Sequence, residues 1–328
     1  MPYCRNNHPR QSQGAEDQES PEVREVCQIL HHTGRSHIKN SRRRMSARFR
    51  VVCSPARLRA IGRGMHAALF MAALIGFVCS CQRPSREVRE IFDAARTGDV
   101  AETEALLARD KNLVFCRDKE GNTPLQYAVH GEHREVAKVL LANGANVNAH
   151  SKNGDTALHW AAFGDHGDLA SLLLVNGAAV NARDDNGVTP LYTAASRGYR
   201  DVVALLLANG ADINAKTKSG NTPLDIAVFN DQEDVAAFLI ANGADVNARA
   251  DGDVTPLHLA ALKGYNDIVK LLLDHGANVN AKTGEPAVAP NPLLDADTAN
   301  GGMTPLRLAM SKGHMEAAQL LRQRGGHE

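Results

Sequence analysis

Aromatic side chains are scarce in this chain: one Trp, five Tyr and eight Phe among 328 residues. That is thin filling for one large globular core, whereas Ala, Leu, Gly and Asn recur throughout and suit short helices packed through small residues. Cysteine is equally uninformative as a framework. Five of the six (Cys4, Cys27, Cys53, Cys79 and Cys81) precede Cys116 and the regular part of the chain, so no disulfide scaffold is expected there. No CxxC pair stands near histidines at a zinc spacing. The phosphate-cradling pattern GxxxxGK[ST] and the dinucleotide pattern GxGxxG are both missing, which removes the commonest nucleotide-binding classes. There is no run of about 20 apolar residues, the length a membrane-spanning helix needs. Finally, the neutral total is uneven: residues 1–81 carry 13 Lys and Arg against 5 Asp and Glu, and the remainder carries 24 against 32. An acidic remainder argues against nucleic acid as its main partner.

What is present begins with an irregular stretch. Residues 1–44, rich in Arg, His, Gln, Ser and Asn, show no hydrophobic periodicity and read as disorder or as an extension upstream of the true start, with Met45 or Met65 as the initiator. Residues 45–81 follow a different plan. Arg48, Arg50, Arg57, Arg59 and Arg63 precede the apolar run Ala67 to Val78, which ends in small residues, the layout of a secretory signal. Val78-Cys79-Ser80-Cys81 resembles the bacterial lipobox, although Cys79 is unusual there and Val less typical than Leu. That resemblance implies lipidation of Cys81, removal of the residues before it, and a periplasmic, membrane-anchored product.

Residues 82–118 hold two helical patterns separated by Thr97-Gly98-Asp99. Glu87, Arg89, Glu90, Glu102 and Glu104 make the outer face charged, as the first unit of a stack requires. From residue 119 to 282 one pattern then returns five times. Thr123, Thr156, Thr189, Thr222 and Thr255 are spaced by 33 residues. Each opens a stretch such as NTPLQYAV, DTALHWAA, VTPLYTAA, NTPLDIAV or VTPLHLAA, and each unit closes on a stretch such as LLANGANVNA. Threonine caps a helix and proline is tolerated at its first position. Leu140, Leu173, Leu206, Leu239 and Leu272 form the apolar stripe of a second helix, and Gly144, Gly177, Gly210, Gly243 and Gly276 suit the left-handed residue that ends it. Helices of two to three turns are unstable alone in water, so the units must fold against each other.

These residues resemble the ankyrin repeat family, whose unit has that period and the TPLHxA signature. The resemblance implies an all-α repeat solenoid of helix-turn-helix units joined by β-hairpin fingers, with five full repeats and a capping repeat at each end. The threonine spacing lengthens once, to 49 residues between Thr255 and Thr304. The excess lies in 283–302, where Pro286, Pro290 and Pro292 exclude regular structure, and reads as an enlarged finger. Residues 303–328 keep TPL and the leucines and read as the closing repeat.

No catalytic constellation emerges, and neither a cofactor nor a metal is expected. His159 and His258 occupy the TPLH position, which the family uses structurally. His130, His133, Asp165 and His166 lie in turns, and Cys116 has no implied base beside it. The family uses its finger tips and the exposed side of its first helices as a concave binding surface. By register this selects Lys152, Asn153, Asp185, Asn186, Lys218, Ser219 and Asp251 on the fingers. On the first helices it selects Trp160, Phe163, Tyr192, Arg197, Phe229 and Lys263. The expected product is a monomeric, non-enzymatic scaffold of the bacterial envelope that binds a protein partner and meets the membrane only through its lipid. The alternative expectation is a soluble intracellular regulator whose basic N-terminus is genuine.

Overall fold

The computed structural model describes residues 86–284, 292–293 and 301–328. The expected signal, its Cys81 and most of the 283–302 insertion lie outside the described residues. The described residues form fourteen helices in seven pairs. The first pair is α1 (Arg86–Thr97) and α2 (Val100–Arg109), followed by a 3-10 turn at Lys111–Phe115. Five pairs then repeat one plan: α3 (Pro124–His130) with α4 (Arg134–Ala142), α5 (Ala157–Phe163) with α6 (Gly167–Val175), α7 (Pro190–Arg197) with α8 (Arg200–Ala208), α9 (Pro223–Phe229) with α10 (Glu233–Ala241), and α11 (Pro256–Lys263) with α12 (Asn266–Asp274). The last pair is α13 (Pro305–Ser311) and α14 (Met315–Gln323).

The sequence dictates each pair in the same way. At α7, Thr189 has an extended backbone and accepts the amide of Tyr192, while Pro190 begins the helix without losing a bond. Second helices carry an acidic residue in the first turn, such as Asp201 in α8, where the helix dipole favours it. Each odd-numbered helix packs on its own partner and on the odd-numbered helices before and after it. Ala128, Ala161, Ala194, Ala227 and Ala260 are fully buried at those contacts, small enough to let the helices come close. Leu140, Leu173, Leu206, Leu239 and Leu272 are fully buried as well. One apolar cluster runs from Ile91 to Leu321, so the core is a single stripe shared by all seven pairs.

The fingers depart from the expected β-hairpins. No strand forms among the described residues, and the one isolated bridge joins His150 to Thr156. Each finger is a tight turn closed on itself, as when Ser151 donates to the Asp155 carbonyl and the Asp155 amide donates back to the Ser151 hydroxyl. The arms are too short for a ladder within one finger. Their remaining backbone groups turn sideways instead: the amides of Lys152, Asp185, Lys218, Asp251 and Gly284 donate to the carbonyls of Glu120, Asn153, Asn186, Ser219 and Gly252, at 2.8–3.0 Å. The fingers thus stand in one row, a single backbone bond at each junction. The enlarged finger keeps this base, because Thr283 donates to the Met303 carbonyl at 3.0 Å and its hydroxyl accepts from the Met303 amide at 3.0 Å.

Candidate interaction surface

Two sets of side chains lock each repeat to the next, and both were only partly visible in the sequence. The first sits at the fourth residue of the TPLH pattern. His159 takes the Thr156 amide on Nδ1 at 3.2 Å and places Nε2 3.1 Å from the Val188 carbonyl of the next repeat. His258 does the same toward Thr255 and reaches both Ala281 and Met303 carbonyls at 3.1 Å, spanning the base of the insertion. Gln126 reproduces this with an amide, accepting from the Thr123 amide and donating to the Asp155 carbonyl. Burial lowers the pKa of both imidazoles, that of His258 to about 4, so both stay neutral and keep one accepting nitrogen. Their structural role agrees with the expectation drawn from the resemblance.

The second set is the Asn that precedes the last Ala of each unit. Asn148 donates to the Gly177 carbonyl and accepts the Ala179 amide; Asn181 does the same with Gly210 and Asp212, and Asn247 with Gly276 and Asn278. Asn280 carries the pattern past the insertion to Gly325 and His327. A basic residue two positions on adds a third tie: Arg183 donates to the Lys216 carbonyl and Lys216 to the Arg249 carbonyl. The 33-residue recurrence of both residue types was the signal. Their partners are backbone groups in the neighbouring unit, which composition alone does not reveal.

On this frame the expected contact residues fall into two rows. Along the fingers, Lys152, Asn153, Asp185, Asn186, Lys218 and Asp251 are exposed, and Ser219 is half-buried. Their charges alternate from one tip to the next: Lys152, Asp185, Lys218, Asp251. Along the first helices, ring contacts bridge successive repeats. Arg96 lies 4.8 Å from the centroid of Tyr127, which is edge-on to Phe92. His130 meets the edge of Trp160 at 4.8 Å between centroids. Arg197 covers Phe163 at 3.7 Å, and Lys263 covers Phe229 at 4.1 Å. These pairs arise because α7 and α11 run one residue past α5 and α9, ending at the left-handed Gly198 and Gly264 and swinging the cation back over the preceding ring.

Exposure within this row is uneven. Phe163 remains 43% exposed beneath Arg197, whereas Phe229, Lys263 and Trp160 are half-buried. The Trp160 indole N–H is buried without a hydrogen-bond partner, so this side chain acts mainly as packing against His130. Tyr192 stands apart from the others. It occupies the capping position equivalent to His159 and is half-buried at the repeat junction, with burial and the nearby Asp225 and Asp184 carboxylates raising its phenol well above the ordinary range. It lies three residues after the capping Thr189, the place that His159 takes after Thr156.

The remaining candidates do not converge. His133 bonds the Arg96 carbonyl at 2.8 Å, His130 is engaged with Trp160, and His166 lies 3.8 Å from Glu132. Among the described residues no group of three or more His, Cys, Asp or Glu is placed to hold a metal ion. Cys116 is buried.

Stacked helix pairs with buried inter-repeat ties and exposed rows of tips and rings define a repeat protein that offers a surface. The family model for ankyrin repeats in three copies matches residues 91–184, 143–217, 163–250, 218–283 and 251–327, and the chain belongs to that family. Among solved structures it is similar to the crystal structure of the human ASB11 ankyrin repeat domain, at 29% identity and a TM-score of 0.60, over 73% of this chain and 98% of that one. Ankyrin repeats are typically non-enzymatic modules for protein–protein interaction, and that general role extends to this chain.

Proposed function

We propose that the protein is a lipid-anchored ankyrin scaffold of the bacterial envelope, tethered through Cys81, that binds a protein partner with its finger row and first-helix row. The observation that carries the binding half is the pairing of alternating tip charges with cation-covered rings. Alternation of Lys152, Asp185, Lys218 and Asp251 creates no extended field of one sign, so it suits a folded protein of mixed charge better than a polyanion. Phe163 under Arg197 supplies an amphipathic centre of the residue types that dominate binding energy. Successive fingers are tied by backbone bonds and the repeats share one packed core, so little ordering entropy is lost on docking.

The anchoring half rests on the basic, apolar and lipobox-like stretch at 45–81. No helix among the described residues is long and apolar enough to cross a membrane. Acyl chains contribute about 0.8 kcal/mol per buried CH₂, and stable anchoring takes more than one. Intact mass and membrane fractionation of the natural product test this half: an acylated chain beginning at Cys81 is expected, and an unprocessed, unacylated chain overturns it. For the other half, partners captured from the envelope by the wild type should be lost with Phe163→Ala combined with Arg197→Glu. Retention of every partner by that folded variant would remove this surface from the binding role.

A further inference from the structure

Asp225 is the one carboxylate among the described residues that is wholly buried in the array, at 0% exposure. It occupies the same capping position in α9 that Gln126, His159 and His258 occupy in α3, α5 and α11. Those three side chains share a design. One atom accepts from the capping threonine, and the other donates to a carbonyl of the next repeat, Asp155, Val188 or Met303. In Asp225 only the first half is present. Oδ2 accepts the Thr222 amide at 2.8 Å and the Thr222 hydroxyl at 2.7 Å. Oδ1, the oxygen left over, is buried and makes no hydrogen bond, on a side chain one bond shorter than the ε-nitrogen donors of the other three. By register its counterpart in the next repeat is the Val254 carbonyl, which closes its finger by accepting the Ala250 amide, as Val188 does from Asp184. A carboxylate has no proton to offer a carbonyl, whereas a neutral acid does.

We propose that Asp225 is a proton-operated joint: as the neutral acid it completes the tie between its repeat and the next, and as the carboxylate it opens that tie. The surroundings support the neutral form. Burial dominates and raises the Asp225 pKa to about 6 against the opposing bonds from Thr222. Of the charged groups nearby, Lys216 favours the carboxylate and Asp245 disfavours it. From α7 the Tyr192 phenol interacts with the Asp225 carboxyl, and burial together with that carboxyl keeps the phenol protonated. Glu233 and Asp234 of α10 are exposed. No second cation offsets the buried charge, and an ionised carboxyl there leaves a buried acceptor unpaired. The array therefore carries one junction, between the fourth and fifth full repeats, whose strength follows the proton concentration in the mildly acidic range.

The sign is fixed by linkage. A carboxyl whose folded pKa lies above its unfolded value contributes stability that is complete below the unfolded value and is lost as pH rises through about 6. His159 and His258 titrate oppositely over the same range, so the bare pH profile of the wild type mixes both effects, and the comparison must be with a variant at Asp225. Asp225→Asn keeps the accepting oxygen and supplies a permanent donor, and Asp225→Gln copies Gln126. In the full chain, the wild-type folding constant relative to that of Asp225→Asn should rise by up to about tenfold per unit of falling pH between about 6 and 4. The carboxyl carbon of Asp225, followed by ¹³C NMR in the folded wild type, should titrate near 6. An Asp225 carboxyl that titrates in the ordinary range near 4, or wild-type and Asp225→Asn constants that keep a fixed ratio across this window, overturns the joint. If Asp225→Asn folds poorly, Asp225→Gln and the NMR titration decide the matter.

Discussion

At the scale of single residues, the array is held by polar side chains that satisfy backbone groups of the following repeat, and these control its response to pH. His258 is fully buried and serves two carbonyls at once. Burial places its pKa at about 4, so the folded state binds a proton less readily than the unfolded chain. Its contribution is complete above the unfolded value of about 6.5 and is lost as pH falls toward 4, worth roughly 3 kcal/mol across that span. His258→Gln should preserve both ends of the tie, as Gln126 does, and remove this acid sensitivity. Urea unfolding of the two proteins at pH 7 and pH 4.5 checks it: the wild type should lose more than the variant, and equal losses would assign the acid sensitivity to other groups. The TPLH position was legible as structural from the resemblance to the ankyrin family. Tyr192 holds the same register and is half-buried there, which a large aromatic in a short helix does not announce. Asp225 was equally silent: a carboxylate in a polar-looking TPLD segment gives no sign of complete burial.

At the scale of elements, helices and fingers differ in how far the sequence determined them. The helices were plain, since capping threonine, proline, leucine pairs and closing glycine all agree on one boundary. The fingers were not, because what shapes them is lateral contact one repeat away. Two glycines separate these causes. Gly144 and Gly154 have nearly the same left-handed backbone, at φ +87° and +88°. A Cβ on Gly144 meets open space, while a Cβ on Gly154 would lie 2.7 Å from the Asp184 Cα and 2.8 Å from the Asp185 amide nitrogen. Both contacts are backbone of the adjacent finger and cannot swing aside. Gly144→Ala should therefore lose only the cost of the left-handed conformation, about 1–2 kcal/mol. Gly154→Ala should lose that amount and also break the bond from Asp185 to the Asn153 carbonyl. Melting of the two variants, with amide exchange at Asp185 as the local readout, tests the difference. Equal melting losses and an undisturbed Asp185 amide would show that the finger row yields easily.

At the scale of the whole molecule, the array interrupts its period once and still keeps the capping-position tie and the asparagine tie across the break. Across the insertion His258 reaches Met303, Asn280 reaches Gly325 and His327, and Thr283 closes on Met303. Residues 284–302 stand where residues 152–154 stand in an ordinary finger. The stack therefore carries the insertion on a preserved base, and its thermodynamic weight should be loop closure offset by the contact of the half-buried Leu293 with the shared core. Closure entropy rises by only about 0.6 kcal/mol for each doubling of loop length. Replacing 284–302 by the Lys-Asn-Gly of an ordinary finger removes both the longer loop and that contact, and with closure outweighing one half-buried leucine it should stabilise the array by at most about 1–2 kcal/mol and raise its melting temperature. Because the replacement retains the amide that bonds to Gly252, the finger row should continue unbroken into the last repeat. An unchanged or lower melting temperature would mean that the inserted residues pack on the array and stabilise it. A higher one, accompanied by loss of partners that the wild type captures, would mean that the chain carries the insertion at a cost in stability, as a recognition loop added to a scaffold that folds better without it.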